Sequence, residues 1–85
     1  MGRKEIEQRV KDILADKMDV DARQITPEAR LVDDLGMDSL AAIEVVFALK
    51  EAFQIDIQQE SLENDMQNMT LVRDIIEYIR DRVRE

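Results

Sequence analysis

The chain has no histidine and no cysteine among its 85 residues. It therefore has no imidazole general base, no thiolate nucleophile, no Cys/His zinc site, no disulfide and no redox thiol. Tryptophan is absent, and one tyrosine and two phenylalanines make up the whole aromatic content. Two glycines and one proline are too few turn residues for a sheet protein of this length. No apolar run approaches the roughly 18–20 residues of a membrane span, and no signal-peptide pattern opens the chain. Gly2 is placed for myristoylation, but Ile6 stands where that signal needs Ser or Thr. Basic residues are the scarcer charge, 12 against 20 acidic ones, for a net charge of −8. A chain so charged repels nucleic acid and anionic membrane surfaces. The expectation is a monomeric, cytoplasmic, all-α protein with residues 1–85 as one domain.

The apolar residues that are present fall at helical spacing. Ile6, Val10, Ile13, Leu14 and Met18 predict a helix over 3–18. Residues 19–38 lose that rhythm and carry breakers at Thr26-Pro27, Asp33-Asp34 and Gly36. Val20, Ile25, Leu31 and Leu35 would pin this loop to the bundle, and Asp21 with Gln24 could cap a turn inside it. A loop so long in so small a domain is often functional. A second helix is expected over 39–53, with Asp38 or Ser39 as its cap. A short polar helix follows over 60–68, with Leu62 and Met66. Thr70 would then cap a last helix over 71–83, whose apolar face is Val72, Ile75, Ile76, Ile79 and Val83. The predicted architecture is a four-helix bundle, three main helices and one short, with a long loop after the first.

The second helix carries more apolar surface than a core needs. At about 100° per residue, Ala42, Val45, Val46, Leu49 and Phe53 share one sector, the core face. Leu40, Glu44, Phe47, Ala48 and Glu51 lie opposite. Two large apolar residues on one outward stripe, rimmed by acid, read as a docking patch unless another loop covers them. The charge is concentrated here too. From Asp33 to Asp65 there are nine acids and one base, Lys50, which accounts for the entire net charge. A partner with a basic surface would be drawn to such a field.

Only Ser39 and Ser61 offer a hydroxyl nucleophile of the serine type. Neither can join a triad without histidine or a glycine-flanked elbow. Ser39 opens the second helix, at the positive end of its dipole, a favourable seat for a phosphate ester. Taken alone, a serine there is an ordinary helix cap. A calcium loop starting at Asp33 would put Glu44 at position 12, but Leu35 and Met37 then occupy ligand positions. A start at Asp19 fails at Arg23, so no metal site is expected.

The segment from Leu31 to Phe53, LVDDLGMDSLAAIEVVFALKEAF, resembles the attachment region of acyl carrier proteins. The resemblance rests on Asp38-Ser39-Leu40, preceded by Asp34-Leu35-Gly36, with Glu44 and the apolar positions of the helix. Phe53 followed by Ile57 matches as well, as do Val72, Ile76 and Tyr78-Ile79 further on, and the first helix fits loosely. The resemblance implies a non-enzymatic carrier whose Ser39 is esterified with 4′-phosphopantetheine from coenzyme A, flanked by Asp38 and Leu40. A dedicated transferase performs that step, and the arm's thiol then holds an acyl group as a thioester. The cofactor supplies the nucleophile that a chain without Cys or His lacks. By the same resemblance, an acyl chain could lie near Val45, Val46, Leu49 and Ile57. Acyl-transferring and acyl-modifying enzymes with basic surfaces would dock on Leu40, Glu44, Phe47 and Glu51, the residues the face analysis selects independently. Ala41 and Lys50 depart from acids common in the family, and the stretch Gln58–Met69 is longer than usual and lacks the frequent Ile-Pro start. Cargo and pathway, whether fatty acid, specialised lipid, polyketide or aminoacyl, therefore stay open. A small helical interaction module with Ser39 as a plain cap is the alternative.

Overall fold

A computed structural model of the chain describes residues 2–55 and 58–83. Ile57 and the side chain of Leu62, both given apolar roles above, lie outside the described residues and side chains. The elements in order are α1 (Arg3–Met18), a 3-10 turn (Ala22–Gln24), α2 (Ser39–Phe53), α3 (Gln59–Gln67) and α4 (Val72–Arg82). α1 packs against α2 and α4, and α3 packs against α2. The fold is the expected four-helix arrangement of three main helices and one short one, with the long loop after α1.

One apolar core joins the helices. Ile6, Val10 and Leu14 come from α1, and Val45, Val46, Leu49 and Phe53 from α2. Met66 comes from α3, and Val72, Ile75, Ile76 and Ile79 from α4. Ile13, Met18 and Val83 pack only partly buried at its edge. No polar or charged residue is buried among those described, so the helices are held by apolar burial and not by a polar network. Both α1 and α2 end in a residue with left-handed backbone, Asp19 (φ 57°) and Gln54 (φ 52°). The next amide in each case turns back on the last turn, Val20 N–H to Ala15 O at 3.2 Å and Ile55 N–H to Lys50 O at 3.1 Å. These bonds satisfy carbonyls that a helix end otherwise leaves open.

The loop from 19 to 38 is built into the core. Ile25, Ala29, Leu31, Leu35 and Met37 are all buried; Ala29 and Met37 add to the residues expected to pin it. The Asp21 carboxylate accepts the Arg23 N–H at 2.9 Å, and the Gln24 side chain accepts the Asp21 N–H at 3.3 Å. Arg23 also places its guanidinium on Asp21, which holds that carboxyl below its usual range.

The start of α4 differs from expectation. Thr70 does not cap it. The Thr70 carbonyl accepts the Leu31 N–H at 2.9 Å in a single antiparallel bridge, and Leu71 stays extended. The open donors of α4 find partners elsewhere. Asp74 accepts the N–H groups of Thr70 and Leu71, each at 3.0 Å. Loop carbonyls take the next two, Ala29 O from Val72 N–H at 3.0 Å and Pro27 O from Arg73 N–H at 2.9 Å. Strand-like pairing thus displaces the local cap, and the loop and α4 hold each other. α3 runs over Gln59–Gln67, one residue earlier than expected, and is tied to α4 where the Tyr78 hydroxyl donates to Asp65 at 2.6 Å.

Candidate functional site

The segment Arg30–Ser39 gives each residue of the motif a physical task. Asp34 turns its carboxylate back to accept the Arg30 N–H at 2.8 Å, and the Asp34 N–H returns to Arg30 O at 3.0 Å. Leu35 drops into the core. Gly36 takes φ +74°, a left-handed backbone that an L side chain adopts only under strain. The reversal lets Met37 bury itself, its N–H reaching Leu31 O at 2.9 Å. Asp38 then caps α2, its carboxylate accepting the Ala41 N–H at 2.8 Å. The cap is Asp38, so Ser39 is the first helical residue, exposed, with its hydroxyl outside the cap bond.

The polar surroundings of Ser39 suit an anion. Its own N–H and that of Leu40 have no backbone acceptor among the described residues, because the first bonds into the helix start at Ala41 and Ala42. Unclaimed amides at the positive end of a helix dipole are donors for phosphate oxygens. Beside Ser39 opens a groove of ≈ 330 Å³, lined by Val32, Met37, Asp38, Ser39, Ala42, Ile43, Met66 and Gln67. Among the described residues Asp38 is its one charged lining residue, and that carboxylate already accepts the Ala41 N–H. An exposed serine with free amides beneath it and an apolar groove at its side fits a phosphate-linked arm with a largely apolar attachment.

On its outer face α2 presents Leu40, Ile43 and Phe47, which keep 66%, 41% and 55% of their surface exposed. No described loop covers Leu40 or Phe47, so the outward stripe inferred from sequence is exposed. Glu44 and Glu51 are exposed beside it. Val32, 64% exposed on the loop, stands across the groove mouth. Ile43 and Val32 were not singled out from sequence. For Ile43 the signal was there: it lies about 100° from the centre of the core sector and only about 60° from the exposed stripe. Val32 sits in an irregular loop, where no periodicity marks a face.

Val45, Val46 and Leu49, the residues assigned to an acyl-chain site, are fully buried. They do not line the groove beside Ser39. They point into the common apolar core. The open volume lies instead on the α3 flank of α2, one turn nearer Ser39. Ile57, assigned with them, lies outside the described residues. The structure therefore sets Asp38 and Ser39 at the groove, aligns Leu40, Glu44, Phe47 and Glu51 along the outer face, and separates both groups from the buried trio. Among the described residues no cluster of carboxylates is arranged to hold a metal ion, and no helix is long and apolar enough to cross a membrane.

Comparison with known proteins agrees with this geometry. A family model described as phosphopantetheine attachment site matches residues 8–79. The chain is 47% identical over 78 residues to an acyl carrier protein of Desulforapulum autotrophicum, covering 91% of this chain and 96% of that protein. It is 45% identical over 71 residues to an acyl carrier protein of Syntrophobacter fumaroxidans, covering 84% and 83%. Among solved structures, the apo doublet acyl carrier protein from prodigiosin biosynthesis superposes with a TM-score of 0.76 at 23% identity. That match covers 93% of this chain and 36% of the other, and at such identity it supports the fold alone. The chain belongs to the phosphopantetheine-attachment family as an acyl carrier protein, a carrier and not an enzyme.

Proposed function

We propose that Ser39 carries a 4′-phosphopantetheine arm derived from coenzyme A, and that residues 1–85 act as one cytoplasmic carrier domain for acyl groups in fatty acid, specialised lipid or polyketide synthesis. The observation that carries this reading is the geometry at Ser39. Its exposed hydroxyl is left out of the cap that Asp38 makes, at the mouth of an apolar groove. On attachment, a P–O bond forms to Ser39 Oγ as the pyrophosphate bond of coenzyme A breaks, and the nucleotide leaves. Asp38, the one carboxylate lining the groove among the described residues, already holds the Ala41 N–H on Oδ1, and no histidine exists. The proton therefore goes to a group on the transferase. Bound there, the arm supplies a thiol that holds an acyl group as a thioester.

The chain's own residues then bind, orient and present. The Ser39 and Leu40 amides face the phosphate position. Met37, Ala42, Ile43 and Met66 offer apolar shelter at the groove. Leu40, Phe47, Glu44 and Glu51 form the docking face, apolar anchors with an acidic rim for a partner with a basic surface. Intact mass after co-expression with a phosphopantetheinyl transferase tests the reading. A gain of about 340 Da, the mass of the arm, mapping to Ser39 supports it. An unmodified chain would leave a helical interaction module with Ser39 as a surface residue.

A further inference from the structure

Lys50 is the one base between Asp33 and Asp65, set against nine acids. Its place on α2 is specific. With Leu40 as origin and about 100° per residue, Phe47 lies about 20° and Ile43 about 60° to one side. Glu51 lies about 20° and Glu44 about 40° to the other side. Lys50 falls about 80° round on the Ile43 side, two turns beyond Ile43. The exposed apolar ridge therefore divides unlike charges, with two exposed carboxylates on one flank and an ammonium on the other. The Lys50 side chain is half-buried, so its stem follows the helix surface and its charge stays close to the ridge.

We propose that Lys50 is a selectivity residue for docking. It fits α2 to an acyl-handling enzyme whose surface is basic against Glu44 and Glu51 but carries a carboxylate against Lys50. It disfavours surfaces that are basic on both flanks. This rests on the docking face described under the proposed function. Like charges brought together across an interface raise the energy of the wrong complex, and specificity is a difference between right and wrong. Unlike flanks also admit only one orientation of a partner along the ridge, whereas two acidic flanks would accept it either way round.

The test is a charge ladder at one position, Lys50→Gln and Lys50→Glu. Arm attachment is followed with coenzyme A and a phosphopantetheinyl transferase whose docking surface is basic throughout. Melting curves establish that each variant is folded. The rate constant kcat/KM should rise stepwise along the ladder, by about three- to five-fold for Lys50→Glu at low salt, the scale of exposed charge pairs. The gain should lie in KM, and it should fade by about 300 mM salt, where surface charges are screened. An unchanged or lowered kcat/KM for Lys50→Glu overturns the inference. Glu44→Lys in the same assay separates the two layers of the argument. If Glu44→Lys slows attachment and Lys50→Glu does not speed it, only the role of Lys50 falls. If Glu44→Lys has no effect, the docking face falls and the inference falls with it.

Discussion

Replacing Leu49 by alanine should damage the fold and spare docking, while replacing Phe47 by alanine should do the opposite. The two side chains lie two residues apart on α2, yet Leu49 is fully buried and Phe47 is 55% exposed. Removing three carbons from Leu49 loses roughly 2.4 kcal/mol of apolar burial at about 0.8 kcal/mol each. The unfilled space raises the cost toward about 5 kcal/mol, because Val45 and Val46 are already fully buried beside it. A domain of this length has only about 4–13 kcal/mol in all. The melting temperature should therefore fall by about 10 °C or more. Phe47→Ala removes a side chain that faces solvent for most of its area, so stability should stay within about 0.5 kcal/mol.

Attachment kinetics complete the separation. Phe47→Ala removes an apolar anchor and should raise KM for the transferase by about 5- to 30-fold, the range for a well-placed interface residue, with little dependence on salt. Leu49→Ala, assayed below its own melting temperature, should be modified at nearly the normal rate. Melting curves and transferase rates on both variants decide the matter. If Phe47→Ala melts as low as Leu49→Ala, Phe47 belongs to the core, and the exposed ridge with its docking role is wrong.

Three further outcomes are expected. Ser39→Ala should abolish arm attachment, read by intact mass, with stability unchanged within about 0.5 kcal/mol because the cap bond belongs to Asp38; Asp38→Ala should instead cost about 1 kcal/mol. Gln54→Gly should relieve the left-handed backbone at φ 52° and raise the melting temperature by about 2–8 °C, a net gain of about 0.5–1 kcal/mol once the freer unfolded glycine is counted. Tyr78 is held above its ordinary value of 10.0 by burial first and by its bond to Asp65 second; the neutral phenol is the favoured folded form, so its contribution is complete below about pH 10 and is lost as pH rises through the folded value. Melting curves across that range should show a decline that Tyr78→Phe lacks, and the chain's one tyrosine can be titrated directly by its phenolate absorbance.

The helices were legible from sequence wherever a long apolar period ran undisturbed. α1 and α2 have their expected bounds, because Ile6, Val10 and Leu14, and then Val45, Val46 and Leu49, repeat at the helical interval. The start of α4 was misread because its partners are distant in sequence. A local rule makes Thr70 a cap, but Leu31 pairs with Thr70 from across the chain, and Asp74 with two loop carbonyls satisfies the helix end. The site divides the same way. Ser39 and the ridge of Leu40 and Phe47 follow from motif and helical period, both local. The groove does not, since Val32, Met37 and Met66 meet only through the fold. Val45, Val46 and Leu49, expected near an acyl chain, are 0% exposed, so a chain lodged beside them would have to part close-packed helices.

The charge that serves docking should weaken the fold. Nine acids and one base occupy Asp33–Asp65, and the remaining eleven of each sign cancel. Asp33, Asp34, Asp38, Glu44 and Glu51 are all exposed, so each keeps its water and repels the others through it. The described ion pairs offset little of this. Arg30 reaches Asp33 at 3.4 Å, and the others join residues outside the acidic segment. Among the described residues the core contains no buried polar group that salt could weaken. Screening therefore weakens more repulsion than attraction. The Debye length falls from about 30 Å at 10 mM to under 10 Å above 150 mM, shorter than the span of the acidic face. The melting temperature should rise over that interval and then level off, and Glu44→Lys should flatten the rise by removing two units of net negative charge. The same salt should slow capture of a basic transferase by weakening long-range attraction. Stability and docking rate should thus move in opposite directions along one salt series. A melting temperature that stays level from 10 mM to about 300 mM would show that the acidic face costs the fold nothing, and the opposition argued here would not exist.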